Sequence, residues 1–317
     1  MNIFYFIIQQ TMFFMIPLMV VALGGLFSEK SGVVNIALEG KMILGAFTGI
    51  LTISTFQDQL PGFPILVIAM VVAIATGVLV SLFHAYASIN LGADQVISGI
   101  AINMFAPAFA IFQSRLITGT QLVNFTNQFR IESIPALGEI PFFGPMFFQN
   151  TYVTTYLGFI ILAVGSFVLY HTKFGLRLRA CGEHPGAADS VGISVMKMRY
   201  AGVILSGALA GLGGLVLIIP TSSVFSGSVA GFGFLALAVL IFGGWNPIKI
   251  IFAAFFFGLL QTIASSFTAI DFLSNLNIPA HFFRMTPYIA TLVLLAFTSK
   301  KTIAPKALGE TYDKGRR

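Results

Sequence analysis

The sequence predicts an all-α, polytopic membrane protein with about nine transmembrane helices, because the chain is apolar, poor in charge and divided into helix-length runs. Of its 317 residues, 57% are hydrophobic and 9% are charged, whereas a soluble domain usually carries about 25% charged residues. Apolar stretches of roughly 20 residues, enough to cross about 30 Å of hydrocarbon, fill most of the chain. Residues 1–317 are therefore expected to form a single membrane domain with loops attached.

Short polar breaks separate the apolar runs and place the spans in order. The candidate spans lie at about 10–27, 33–54, 63–88, 96–113, 151–170, 200–220, 230–244, 248–267 and 284–298. The longer breaks are residues 114–150, between the fourth and fifth spans, and residues 171–199, between the fifth and sixth. Because the number of spans is odd, the two termini are expected on opposite sides of the membrane.

The basic residues predict the orientation, since cytoplasmic loops carry an excess of Lys and Arg. With the C-terminus inside, all but three of the 17 basic residues fall on the inner side, and the exceptions are Arg115, Arg130 and Arg284. The inner set is Lys30, Lys41, Lys173, Arg177, Arg179, Lys197, Arg199, Lys249, Lys300, Lys301, Lys306, Lys314, Arg316 and Arg317. We therefore expect the N-terminus outside, and a basic tail of residues 299–317 in the cytoplasm.

Two loops are long enough to carry a function. Residues 114–150 form an outer loop whose prolines and glycines exclude a long helix and whose aromatic residues favour packing on the membrane surface or a partner. Residues 171–199 form the largest cytoplasmic loop. Within it, Pro185 suits the first turn of a helix, His184 the capping position and Gly192 a C-terminal stop. A helix of about two turns is not stable alone in water, so we expect it to insert into a groove on another protein.

Three motifs resemble one family of transporters. The cytoplasmic string GLRLRACGEHPGAADSVGI, followed by AGVILSGALAGLGGL, resembles the coupling loop and following helix of ABC importer permeases of the branched-chain amino acid, ribose and nucleoside group. GLFSEKSGVVNIALEG near the N-terminus and IPALGEIPFFGP in the outer loop are similar to the nucleoside and simple-sugar permeases of that group. Together the motifs extend from about residue 11 to residue 299.

Matched by position, the resemblance assigns coupling to an ATPase to one set of residues in the cytoplasmic loop. The set is Gly175, Arg177, Arg179, Ala180, Gly182, Glu183, His184, Pro185, Ala187, Ala188 and Gly192. His184 departs from the family pattern, which has Asn there, and a neutral His is a weaker helix cap than Asn.

The resemblance implies a non-enzymatic permease that forms half of a membrane channel. It implies that separate cytoplasmic ATP-binding subunits hold ATP and magnesium, and that this chain holds no cofactor or metal. It further implies an extracytoplasmic substrate-binding protein that delivers a nucleoside or simple sugar, and a second permease that is identical or related. The implied location is a bacterial-type plasma (inner) membrane, with the lipid bilayer as a partner and no nucleic acid.

Two other functions are compatible with a polytopic membrane chain. A stand-alone secondary transporter of a small polar solute often carries inverted repeats and broken helices, and the sequence offers no evident repeat pair and few acids at membrane depth. A membrane-embedded enzyme would need clustered His, Asp or Cys, whereas the four His are far apart and Cys181 is the single cysteine.

Three polar side chains within the spans are candidates for the substrate path, because such groups are costly in hydrocarbon. With a helix that begins near Val33, Asn35 and Glu39 lie four residues apart on one face, where they contact a polar substrate or support the residues that do. In the alternative interpretation, Asn35 caps the helix and Glu39 pairs with a neighbouring Lys. For Asn103, a helix-to-helix hydrogen bond is favoured over substrate contact.

The glycine-rich stretches predict turns and close packing, not nucleotide binding. In GGLFSEKS, Lys30 and Ser31 fit a phosphate-binding loop, but Glu29 occupies a required glycine position and no strand precedes it. Gly207 and Gly211 lie four residues apart in an apolar run, which is the spacing that lets helices approach closely in lipid.

Overall fold

The computed structural model describes residues 3–270, 279–298 and 304–313, most of which are helical. These residues form α1 (Ile3–Lys30), α2 (Leu38–Phe56), α3 (Phe63–Ala85), α4 (Gln95–Thr118), α5 (Val153–His171), α6 (Lys173–Glu183), α7 (Pro185–Ser190), α8 (Val195–Thr221), α9 (Phe232–Phe242), α10 (Pro247–Ser266) and α11 (Ala280–Thr298). A π-helical turn at Tyr86–Asn90 extends α3, and a 3₁₀ turn at Phe267–Ala269 follows α10.

Six of the described helices are long and apolar enough to cross a membrane. They are α1, α3 with its extension, α4, α5, α8 and α10. The chain is therefore an all-α, multi-pass membrane protein, as predicted. Helices α2, α9 and α11 form at the three remaining predicted spans. Of these, α9 has 11 residues, about half the length that crosses the hydrocarbon.

The loop at residues 114–150, which the sequence predicts to lie outside, contains short strands in place of a long helix. Strand β1 (Val123–Asn124) pairs antiparallel with β4 (Val224–Phe225), and β2 (Arg130–Ser133) pairs antiparallel with β3 (Gln149–Tyr152). The predicted loop boundary at residue 114 is early, because α4 continues to Thr118 and ends at Gly119, whose φ of 74° suits a helix C-terminus.

Helix α8 lies at the centre of the bundle and packs against α1, α2 and α3. Glycine makes this contact close. A Cβ at Gly207 would collide with Gly77 and Ser81 of α3, and a Cβ at Gly211 would collide with the carbonyl oxygen of Ala73. The predicted packing role of these glycines is confirmed, and α1 is the most enclosed helix on the other side of α8.

Two helices begin inside the bundle rather than at its surface. Residues 31–37 are not helical, and α2 begins at Leu38, five residues later than predicted. Helix α9 begins after Gly231, whose φ is 79°. The first residues of both helices are buried. The two helix N-termini therefore meet within the protein, and this junction positions the first part of the candidate site.

Candidate functional site

The carboxylate of Glu39 joins the N-termini of α2 and α9. Its two oxygens accept hydrogen bonds from the backbone N–H groups of Gly231 at 2.9 Å and Gly233 at 2.6 Å. The side chain is 8% exposed. A helix N-terminus carries a partial positive charge and unpaired N–H groups, so a carboxylate there is stabilised by both. Glu39 thus occupies the anion-binding end of α9.

A second polar group is buried beside the start of α2. Asn35 donates through Nδ2 to Ser206 Oγ of α8 at 2.7 Å, and its Oδ1 accepts from Lys41 Nζ at 2.9 Å. All three side chains are fully buried. Lys41 and Ser206 were not among the predicted site residues, because their partner lies 6 and 171 positions away and only the fold brings them together.

Asn103 of α4 holds the same segment from the other side. Its Oδ1 accepts from Gly40 N at 2.8 Å, and its Nδ2 donates to the carbonyl oxygen of Ile36 at 2.9 Å. The predicted hydrogen bond across helices is therefore present, with backbone groups at the start of α2 as its partners. It satisfies polar backbone groups that water does not reach.

The expectation that Asn35 and Glu39 share a helix face is wrong. Asn35 lies in the non-helical segment before α2, where Gly32, with a φ of 93°, turns the chain. The side-chain oxygen of Gln95 accepts a hydrogen bond from Val34 N at 2.7 Å and so satisfies one backbone N–H of the non-helical segment. The alternative is not observed either, since α2 has no side-chain cap and Glu39 binds backbone N–H groups.

The loop at residues 171–199, which the sequence predicts to be cytoplasmic, contains two helices. The predicted short helix is present as α7, with Pro185 in its first turn and His184 at the N-cap without a side-chain cap. Gly192 follows with a φ of 80°. Helix α6 was not predicted, because its basic sequence lacks a long apolar stripe. Thr172 starts it, accepting a hydrogen bond from Gly175 N at 3.2 Å.

The predicted coupling residues divide into an inner and an outer face. Gly175, Gly182 and Ala188 are buried, Arg179, Ala180, Glu183 and Pro185 are half-buried, and Arg177, His184, Ala187 and Gly192 are exposed. Two apolar side chains of this loop that are not in the matched set are also exposed, Leu176 at 62% and Val191 at 74%. We call the exposed residues of α6 and α7, with Val191 and Gly192, the docking face.

The inner face of α6 packs on the ends of α1 and α5. A Cβ at Gly182 would collide with the carbonyl oxygen of Lys30, so the absence of a side chain lets α6 touch the end of α1. The guanidinium of Arg179 lies 4.8 Å from the centroid of the Tyr170 ring at the end of α5. These contacts are specific to glycine and to a planar cation.

Residues 304–313, which we call the C-terminal strap, fasten α6 to the turn after α1. Ala307 N donates to the carbonyl oxygen of Gly182 at 2.9 Å, and Gly309 N donates to that of Gly32 at 3.1 Å. Arg199 Nη1 donates to the carbonyl oxygen of Glu310 at 2.7 Å. The strap is the described part of the predicted basic tail. Residues 299–303 and 314–317, with Lys300, Lys301, Lys314, Arg316 and Arg317, lie outside the described residues.

Two residues of the predicted inner charge set are not surface anchors. Lys41 is fully buried within α2, and Arg199 is 1% exposed beneath the strap. Their charges were counted as loop charges because sequence position alone does not distinguish a loop from a buried helix start. Of the other described members, Lys30 and Arg179 are half-buried, and the rest are exposed: Lys173, Arg177, Lys197, Lys249 and Lys306.

Cys181 lies under the docking face, in a cluster with Ala188 and Val195 against which Tyr312 of the strap packs. Burial raises the pKa of the Cys181 thiol to about 11. Since the thiolate is the reactive form, the single cysteine is shielded both by burial and by protonation. Among the described residues there is also no group of three or more His, Cys, Asp or Glu that could hold a metal ion.

Comparison with known proteins identifies the family. Residues 7–297 match the family model of the permease component of the branched-chain amino acid transport system. The chain belongs to this family of permeases. The permease is 44% identical over 313 residues to the guanosine ABC transporter permease protein NupQ of Bacillus subtilis, covering 98% of this chain and 97% of that protein.

Two further relatives span nearly the whole permease. The nucleoside ABC transporter permease protein NupC of Lactococcus lactis is 38% identical over 320 residues, with 99% of each chain covered. A putative glucose ABC transporter permease protein, TsgC13 of Haloferax volcanii, is 28% identical, with 94% of each chain covered. No solved structure matches the permease.

Close contacts connect the docking face of the permease to the buried polar side chains of Asn35 and Glu39. Gly182 of α6 touches the end of α1, the strap joins Gly182 to the turn at Gly32, and the segment after that turn carries Asn35 and leads to Glu39. Glu39 in turn holds the N-terminus of α9. A displacement of α6 is therefore mechanically connected to α9.

Proposed function

We propose that this permease is the membrane subunit of an ATP-driven importer for nucleosides or simple sugars, with nucleosides as the first candidates. The observation that carries the proposal is the similarity, over nearly full length, to permeases named for guanosine and for nucleosides. The lower identity to a putative glucose permease keeps simple sugars as the second candidates.

In this proposal nine segments cross a bacterial plasma (inner) membrane, with the N-terminus outside and the C-terminus inside. The contacts that support it join the ends of α1, α5 and α9 to one another. Trp245 donates through Nε1 to Glu29 at 2.5 Å, and its carbonyl oxygen accepts from Tyr170 Oη at 3.2 Å. The end of α9 therefore lies beside the ends of α1 and α5. This is the position that it must have if α9 and the segment before it together cross the membrane.

The coupling step in this proposal begins on the docking face. Cytoplasmic subunits that bind ATP and magnesium receive α7 in a groove, and their closure displaces α6 and α7 together. An extracytoplasmic binding protein supplies the solute, and a second permease, identical or related, completes the channel. The support is the division of the matched coupling residues, in which Arg177, His184 and Ala187 are exposed while Gly175 and Gly182 are buried.

Asn35, Glu39 and Asn103 serve this mechanism as supports of the substrate path. Each is bound to protein groups at the start of α2 or α9, so each sets the position of a helix end inside the bundle. Alternating access then follows when displacement of the turn after α1 reaches Glu39 and tilts α9.

The docking face is tested with Val191→Asp in the complete importer. Because the Val191 side chain is 74% exposed, we expect the variant to reach the membrane in normal amounts. Uptake should fall at least about tenfold, because a charge replaces an apolar contact with the ATPase subunit. ATPase activity should no longer respond to substrate and binding protein. Val96→Asp is the matched control, because Val96 is 40% exposed and lies at the start of α4. Unchanged uptake and coupling in Val191→Asp would refute the docking role.

One observation favours a second candidate, a secondary transporter driven by an ion gradient. The junction of two helix N-termini inside the bundle is a feature that such transporters also have. Reconstitution of this chain alone in liposomes distinguishes the two functions. Uptake driven by a proton or sodium gradient without partners would support the secondary transporter, and uptake that requires the ATPase subunits and ATP would support the importer.

A further inference from the structure

A polar cavity lies at the end of the bundle opposite the docking face. Its volume is about 360 Å³, and its lining includes Ala230, Gln261, Ser265, Phe267, Arg284 and Tyr288. These residues come from the segment before α9, the C-terminal end of α10 and the start of α11. The volume falls within the range of roughly 300–1,000 Å³ that small-molecule sites occupy.

Ala230, which lines the cavity, has a strained backbone and lies where the N-termini of α2 and α9 meet. Ala230 has a φ of 52°, which is unfavourable for a residue with a side chain. Tyr288 Oη donates to its carbonyl oxygen at 3.0 Å. The next residue, Gly231, donates to Glu39. Irregular backbone at membrane depth is tolerated where it is buried in protein or lines a water-filled cavity, and strained residues concentrate at functional sites.

The lining chemistry selects for a ligand rich in hydrogen-bond acceptors. Arg284 offers a planar fork of N–H donors, while Gln261 and Ser265 each offer a donor and an acceptor. Tyr288 adds an aromatic ring whose hydroxyl is already bonded. The described lining contains no carboxylate. An uncharged nucleoside has a complementary set of groups, since its base presents ring-nitrogen and carbonyl acceptors in one plane and a flat face suited to an aromatic ring.

We propose that this cavity is a solute subsite of the transport path and takes the base of a nucleoside. Arg284 donates to the acceptors of the base, and Tyr288 packs against it. The inference rests on the proposed import function and adds the location and chemical class of the site. Ala230 lines the cavity and the adjacent Gly231 contacts Glu39, so solute and the coupling route meet at the start of α9.

Cysteine labelling tests the site directly. The Ser265→Cys permease is assembled with the second permease and the ATPase subunits in nanodiscs, and the binding protein is left out. The rate at which a maleimide modifies the new cysteine is then measured at increasing guanosine concentrations. The native Cys181 is buried and contributes little background. We expect Ser265→Cys to be labelled, and saturating guanosine to slow labelling by roughly tenfold or more. Ser133→Cys, an exposed Ser→Cys change in the outer loop, is the matched control that guanosine should not protect.

Replacement of Arg284 tests the role of its guanidinium group in base recognition. In the Ser265→Cys background, Arg284→Gln is expected to abolish protection by guanosine, while Arg130→Gln, at an exposed position on β2, should leave it intact. Ribose is the second probe, and it should protect weakly or not at all. Equal protection by ribose and guanosine would overturn base recognition.

The outcomes separate this inference from the proposed function. If the wild-type importer takes up guanosine but Ser265→Cys is unreactive, or is labelled equally fast with and without guanosine, the cavity is not the subsite. Persistent protection in Arg284→Gln would overturn the role of Arg284. If the wild-type importer takes up neither nucleosides nor sugars with its partners and ATP, the proposed function itself fails.

Discussion

At the scale of single residues, Glu39 is tolerated inside the bundle because backbone donors surround it. Both of its oxygens are bonded to the first amides of α9, and a buried carboxylate without such donors would be strongly destabilising. The sequence identified Glu39, Asn35 and Asn103 as unusual polar residues within spans. It did not identify their partners, because Gly231 lies 192 positions from Glu39 and Ser206 lies 171 positions from Asn35.

Glu39→Gln is expected to destabilise the permease and reduce transport. The Gln side chain has one carbonyl oxygen for two backbone donors, and its NH₂ group faces one of them. The loss of a charge-assisted hydrogen bond and the unpaired donor should cost about 1–3 kcal/mol. Thermal unfolding in detergent and uptake by the complete importer measure the two effects.

The control for this substitution is Glu132→Gln, because Glu132 is exposed on β2. It should leave both the unfolding temperature and uptake at wild-type values. If Glu39→Gln has the unfolding temperature and uptake of Glu132→Gln, the carboxylate does not hold α9.

At the scale of secondary-structure elements, the lengths of the apolar runs predicted where helices form but did not predict the residue at which α2 begins. The predicted span at 230–244 corresponds to α9 at Phe232–Phe242, and the short cytoplasmic helix corresponds to α7. The start of α2 was placed too early because Val33–Ile36 is apolar enough to continue a helix. Gly32 turns the chain there, and the side chains of Gln95 and Asn103 hydrogen-bond to the non-helical backbone. Those tertiary partners leave no local signal in the sequence.

The C-terminal strap is expected to be necessary for coupling. It contributes backbone hydrogen bonds to Gly182 and Gly32 and accepts one from Arg199, each worth about 1 kcal/mol. A chain that ends at residue 303 should therefore lose several-fold in uptake and show ATPase activity that is insensitive to substrate. A chain that ends at residue 313 keeps the strap and is the matched control.

A substitution within the full-length chain distinguishes the loss of the strap's contacts from the shortening of the chain. Ala307 is 3% exposed against α6, so Ala307→Asp should detach the strap and reproduce the truncation. Thr311→Asp adds the same charge at an exposed strap position and should not. Wild-type coupling in both Ala307→Asp and the chain ending at residue 303 would exclude a role for the strap.

At the scale of the whole molecule, two ends of the bundle have different chemistry. One end carries the docking face, the strap and the ends of α1, α5 and α9. The other end carries the paired strands and the polar cavity. From the basic residues, the sequence predicts that the first end faces the cytoplasm, and this orientation stays a prediction. It did not predict that Lys41 and Arg199 are buried, since burial depends on which helices surround them.

The orientation and the number of crossings are tested together by single cysteines and a membrane-impermeant maleimide. We expect Ser133→Cys and Ser226→Cys to be labelled in intact cells, and Ser194→Cys and Lys249→Cys only in inverted vesicles. All four positions are exposed. The Ser226 and Lys249 pair is decisive for α9, because these positions flank it and lie on opposite sides only if α9 and the segment before it cross the membrane.

Wild-type protein is the control for this labelling, because the thiol of Cys181 is buried and its pKa is raised to about 11, so that at pH 7.5 little thiolate is present. Denaturant should expose this thiol and increase its labelling. Labelling of Ser226→Cys and Lys249→Cys from the same side would show that α9 returns to the side from which it entered. In that case the permease would have eight crossings, and the C-terminal strap would share a side with the N-terminus. The docking face could then remain cytoplasmic only if the strap no longer contacted it, which the bonds from Ala307 and Gly309 contradict.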